Sequence, residues 1–228
     1  LKLFVMSLHL YHEKVNGPVP PGLLAFSVPF CDPEVLQYIK TGSLTPGAVG
    51  YDVYRTVFIP GASLKQVLAV IQNYDRHQEY YAPEVERTKV LAHTDNEFRI
   101  YLRLRQVKVI TVVLDTEHQV RYHRLDAVHA YSESRSTRIA ELANPGEADE
   151  RTLTAGEGHG FLWQLNSYWR FVETREDVYV QCEAVSLTRN IPAGLGWLAG
   201  PFVESIPKES LNFTLKSTRA AVSRTSGR

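Results

Sequence analysis

In several stretches between residue 51 and residue 188, most clearly 97–105 and 160–173, apolar and polar positions exchange every second residue, which is the period of a half-buried strand. Tyr51 to Ile59 reads as a first strand and Pro60-Gly61-Ala62-Ser63 as a turn. The period then changes: Leu64, Val67, Leu68 and Ile71 recur at helical spacing and predict a short helix over 64–71. Residues 73–85 predict a second short helix and a turn into the next strand. Strands are predicted over 84–92, 97–105, 107–115 and 119–126. They are separated by His93-Thr94-Asp95-Asn96, by Gln106 and by Thr116-Glu117-His118, gaps short enough for antiparallel neighbours. Another extended segment runs from Ser132 to Leu142 and meets the polar loop Asn144 to Glu150.

The last third carries two long strands, Gly160 to Glu173 and Val178 to Thr188, joined by a polar link at Thr174 to Asp177. They predict a hairpin. A Pro/Gly corner at Ile191 to Gly196 follows, then a helix from about Pro207 to Val222 with Leu211, Thr214, Leu215, Thr218 and Val222 on one face. In the first of these strands one parity holds Phe161, Trp163, Leu165, Ser167, Trp169 and Phe171. The other holds Gln164, Asn166, Tyr168 and Arg170, a set that suits water. In the strand 97–105, Phe98, Ile100, Leu102 and Leu104 alternate with Arg99, Tyr101, Arg103 and Arg105. On a one-sided sheet the arginine face ordinarily lies outside.

This order of strand, two short helices, antiparallel strands, Ile191-Pro192, Gly194-Leu195-Gly196-Trp197-Leu198, Pro201-Phe202-Val203 and a terminal helix with Arg219 near its end resembles the START-like helix-grip superfamily. That superfamily includes polyketide cyclases, coenzyme-Q-binding proteins and pollen-allergen-type carriers. The resemblance covers roughly 49–223, with 1–48 as an N-terminal extension containing a Pro/Gly linker and 224–228 as a tail. It implies an α+β fold, a curved antiparallel sheet wrapped around a long C-terminal helix, with a cavity between them. For the cavity walls it implies Trp163, Trp169, Tyr122 and Phe213. A mouth is implied at Tyr74, Tyr80 and Tyr81, together with the loop around Trp197 and Phe202. Arg103, Tyr101, Tyr122 and Glu183 are the implied polar groups that orient a ligand's head, and Arg103 is the foremost of them.

Composition adds exclusions. The 25 basic and 25 acidic residues cancel, so no global field draws the protein to nucleic acid. No apolar run reaches the roughly 18 residues of a spanning helix, leaving at most transient membrane contact. Leu1 to Leu8 is apolar but short and lacks a small-residue cleavage signature, so a cytoplasmic location is expected, with an upstream piece conceivable because the chain starts without methionine. Asp32 to Lys40 predicts a capped helix in the extension. Cys31 and Cys182 are too isolated for a disulfide framework, and Cys182 is expected to be a buried thiol.

The eight histidines include His118, His123 and His129, whose spacing matches neither a helical pair nor a zinc motif; they are expected at turns and in solvent. Gly156-Glu157-Gly158-His159-Gly160 precedes a strand, so it lacks the helix N-terminus of a phosphate cradle. No Gly-x-Ser-x-Gly elbow occurs, and Ser132, Ser134 and Ser136 are expected to face solvent or pair across the sheet. No metal or cofactor is expected. The function these features favour is binding of a hydrophobic small molecule such as a lipid, isoprenoid or polyketide, as carrier or sensor. The alternatives are an aromatase/cyclase-type enzyme acting on a hydrophobic substrate, and a protein-interaction module without ligand.

Overall fold

A computed structural model describes the backbone over 48–107, 111–155, 157–158, 162–189 and 196–226, and the side chains over the same segments from 53 on, excepting 189, 196–205 and 226. The expectations placed on 1–47 lie outside the described residues.

Strand β1 (Ala48–Pro60) leads into helix α1 (Leu64–Ile71) through a capping box. The Gln66 amide N–H donates to the Ser63 hydroxyl at 3.3 Å, and the Ser63 N–H donates to the Gln66 side chain at 2.8 Å. The free N–H of Leu64 donates to Glu173 Oε2 at 2.8 Å, which ties the helix start to the far end of a later strand. A 3-10 turn (Tyr74–Arg76) and α2 (His77–Tyr80) follow, held to the sheet by the Thr88 hydroxyl donating to the Tyr74 carbonyl at 2.6 Å. Then come β2 (Val85–Thr94), β3 (Glu97–Val107), β4 (Thr111–Arg124), β5 (His129–Ala143), the two-residue β6 (Arg151–Thr152), β7 (Gln164–Glu173) and β8 (Asp177–Arg189). The chain closes with α3 (Gly196–Ser226).

All strand pairs are antiparallel, in the order β1-β8-β7-β5-β4-β3-β2, with β6 on β5. The core lies at the β1/β8 side, where Ile59, Leu64, Val67, Val180, Leu215 and Val222 are buried between strands, α1 and α3. Leu211, Leu215, Thr218 and Val222 share the buried face of α3, as their spacing predicts.

Three sequence expectations are corrected. Thr116-Glu117-His118 is no turn: β4 runs through it unbroken, and the irregularity sits opposite, where Glu117 pairs Arg138 and His118 pairs Ser136. Thr137 is thereby left over as a bulge that reverses the facing of β5 beyond it. The terminal helix does not begin at Pro207. It begins at Gly196, and Pro207 is carried inside it, where the ring removes one N–H donor from the ladder. Finally, the parity assigned to water in β7 is not wet: Asn166 and Tyr168 are buried, and Arg170 lies in contact with Gln181 at 2.8 Å.

Candidate functional site

Between the concave face of the sheet and α3 lies a cavity of about 340 Å³. Strand alternation builds its walls. β3 contributes Ile100, Leu102 and Leu104; β4 contributes Leu114, His118, Val120 and Tyr122; β7 contributes Leu165, Ser167 and Trp169. From β8 come Cys182, Ala184 and Ser186, and α3 closes the space with Pro207, Ser210, Leu211 and Thr214. The lining is mostly apolar with a few hydroxyl and imidazole groups, the usual composition of a small-molecule pocket. Leu104, Gln106, Val112, Leu162 and Pro207 are half-buried, while Tyr74, Tyr81 and Tyr122 are buried, so the open end lies toward Leu104 and Pro207 and the closed end at the tyrosines.

The closed end is a network of neutral rings. The phenols of Tyr74 and Tyr122 hydrogen-bond each other at 2.7 Å, and burial holds both well above the ordinary tyrosine range. The Thr218 hydroxyl donates back to the Thr214 carbonyl at 2.9 Å, so the 3.0 Å contact from Tyr81 is one in which the phenol donates. Burial pushes the Tyr81 phenol up to about 12. His77 Nε2 donates to the Ile71 carbonyl at 2.9 Å, and burial lowers its pKa to about 4 although that bond opposes the shift. At the open end the carboxylate of Glu84, one of the lining residues, accepts from the Ser210 hydroxyl.

Of the residues singled out in the sequence, Tyr74, Tyr81, Tyr122 and Trp169 line the cavity. The tyrosines do so at its closed end and not at a mouth, because their phenols are drawn inward by one another and by Thr218. Tyr80 is buried in the core beside His77 and Tyr81, outside the cavity lining. Phe213 is half-buried against the core and does not line the cavity. Trp163 lies just before β7, where the chain bends and the alternation has not yet begun, and it does not line the cavity. The side chains of Trp197 and Phe202 lie outside the described residues, though their backbone is helical and not a loop.

Arg103, Tyr101 and Glu183 require correction, since all three belong to the parity opposite the lining residues of their strands. Arg103 lies on the outer face of β3, where it grips Asp115 bidentately, Nε to Oδ1 at 2.8 Å and Nη2 to Oδ2 at 3.0 Å. Its Nη1 reaches Glu150 at 2.8 Å, while Tyr101 and Thr152 donate to the same Asp115 carboxylate. Burial pushes the Asp115 carboxyl up, but the donors from Arg103, Tyr101 and Thr152 outweigh it and hold the group below its usual range. Glu183 lies on the outer face of β8, 3.9 Å from Arg170. The arginine face is outside, as plain alternation had it.

Sequence reasoning missed His118, Ser132, Ser134 and Ser186 as cavity residues, whereas Ser167 lines the cavity on the same parity of β7 as Leu165 and Trp169, where alternation had put it. For His118 the signal was the parity it shares with Leu114 and Val120 on β4, which strand alternation alone could have supplied. Among the described residues no group of His, Cys, Asp and Glu is arranged to hold a metal ion, and no helix is long and apolar enough to cross a membrane.

A curved antiparallel sheet closed by a long terminal helix, with two short helices after the first strand, is a START-like helix-grip fold. Solved structures share it. TTHA0849 from Thermus thermophilus is 17% identical over 77% of this chain and 99% of its own, with a TM-score of 0.56. The Zhui aromatase/cyclase from Streptomyces sp. R1128 is 14% identical over 77% and 95%, with a TM-score of 0.54. A STAR-related lipid transfer protein from Xanthomonas axonopodis is 18% identical over 79% and 96%, with a TM-score of 0.51. No protein-family model matches the chain, and no curated protein matches it in sequence.

Proposed function

We propose that the protein binds a hydrophobic small molecule in the cavity beneath α3, as a carrier or sensor. The observation that carries this reading is the roughly 340 Å³ of space walled by Ile100, Leu102, Val120, Leu165, Trp169 and Leu211. Side chains pack protein interiors nearly as densely as organic crystals, so a void of this size in an apolar wall is a place kept for a guest. The fold agrees with the reading, since structures sharing it include a lipid transfer protein and an aromatase/cyclase. The buried imidazoles and phenols are held neutral, which suits an uncharged ligand better than an anionic one. With Arg103 turned to the outer face, it is not among the polar cavity groups that the cyclase alternative would use to bind an enolate or position a carbonyl. The test is native mass spectrometry of freshly purified protein, followed by organic extraction. A bound apolar compound that is recovered in the extract is the expected result; protein that stays ligand-free after incubation with mixed lipid and isoprenoid extracts would contradict it.

A further inference from the structure

Halfway along the cavity floor, His118 on β4 faces Ser134 on β5, and Ser167 on β7 pairs directly with Ser134 across the sheet. The hydrogen bonds around His118 determine which ring nitrogen carries the proton. The Thr116 hydroxyl donates to the Leu102 carbonyl at 3.1 Å, so its oxygen can only accept from His118 Nε2, 3.1 Å away. Nε2 is therefore the protonated nitrogen. Burial holds the ring neutral, lowering its pKa to about 4, and a neutral imidazole with Nε2–H has a bare lone pair on Nδ1. That lone pair faces Ser134 Oγ at 3.5 Å, the outer limit of a hydrogen bond, so the two groups are not locked to each other.

We infer that His118 Nδ1 and Ser134 Oγ form a seat for a hydroxyl group, so that the ligand is an apolar molecule carrying an alcohol or phenol. This rests on the reading of the cavity as a binding site for a hydrophobic molecule. A hydroxyl meets both partners at once: its proton goes to Nδ1 and its oxygen accepts from Ser134. A ketone or ether offers no proton and leaves the Nδ1 lone pair with no more than the long 3.5 Å contact to Ser134. A carboxylate is disfavoured as well, because it would face a second acceptor with no cation among the described lining side chains.

The test uses two matched probes, 2-naphthol and 2-methoxynaphthalene, titrated by fluorescence against the full chain. The parent is expected to bind both. His118→Leu should lose about tenfold in affinity for the naphthol and keep its affinity for the ether, and His118→Gln, whose amide oxygen accepts, should recover much of the loss. Ser134→Ala should weaken the naphthol by a smaller factor, and the ether by no more than that, because either oxygen can accept from Ser134. Equal changes for both probes in His118→Leu, or none for either, would overturn the inference while leaving the cavity reading intact. Failure of the parent to bind either probe would overturn the cavity reading together with this one. Ring-nitrogen NMR of the ligand-free protein at pH 7 gives an independent check. A protonated Nε2 and bare Nδ1 on His118 are expected; the opposite tautomer would remove the seat even if both probes bind.

Discussion

His77 and His118 are 8% and 4% exposed, and in each case desolvation places the folded-state pKa at about 4, against an ordinary value of 6.5. A depressed histidine pKa means that the unfolded chain binds the proton more readily than the folded one. Its contribution to stability is complete above about pH 6.5 and is lost as pH falls toward 4, at up to about 1.4 kcal/mol per pH unit for each ring. Urea unfolding between pH 7.5 and 4.5 should show that decline, and His118→Gln should decline less steeply by about one proton's worth. Superimposable pH profiles for parent and variant would contradict the burial of His118. The same residue shows why part of the site was hidden in the sequence. Thr116, Glu117 and His118 make a polar triplet that reads as a turn, yet Thr116 and His118 are polar because they line or support the cavity, and β4 does not break there. Polar residues placed in a strand for a site imitate the composition of a loop.

At the scale of elements, Arg103 fastens β3 to β4 through Asp115 and to the loop before β6 through Glu150, whose other oxygen accepts from the Gly146 N–H at 2.8 Å. Arg103 and Asp115 side chains are 9% and 7% exposed, so removing the cation leaves a carboxylate with little water and only the Tyr101 and Thr152 donors. Arg103→Met is expected to cost about 3 kcal/mol of stability by chemical denaturation. Affinity for a probe in the cavity should not change, and a variant with parental stability and weakened binding would contradict the outer placement. The elements themselves were largely legible. Leu64, Val67 and Ile71 mark α1, and Leu165, Trp169 and Phe171 mark the inward parity of β7. The early part of α3 was not, because Pro207 looks like a helix start when it is a residue carried within one. The partners of Arg103 were not legible either: Asp115 and Glu150 are 12 and 47 residues away, and only the folded sheet brings them together.

At the scale of the whole molecule, the sheet formed by the described residues runs from β1 to β2 with its paired strands antiparallel, and α3 lies across its concave face with a space left between them. The central claim is that this space exists to be occupied. Ala184 on β8 is a lining residue, paired with Val53 on one side and Ser167 on the other, and its small side chain helps leave the floor open. Ala184→Phe would place a ring in the void, where added volume meets less of the strain that overpacking a full core brings. The most direct measurement is a fluorescence titration of parent and Ala184→Phe with 2-methoxynaphthalene, alongside thermal unfolding of both. The account predicts a saturable single site in the parent, an affinity at least tenfold weaker in the variant, and an unfolding midpoint at or above the parent's. Equal binding by both proteins, or a variant that is strongly destabilised because the space was already filled, would contradict it.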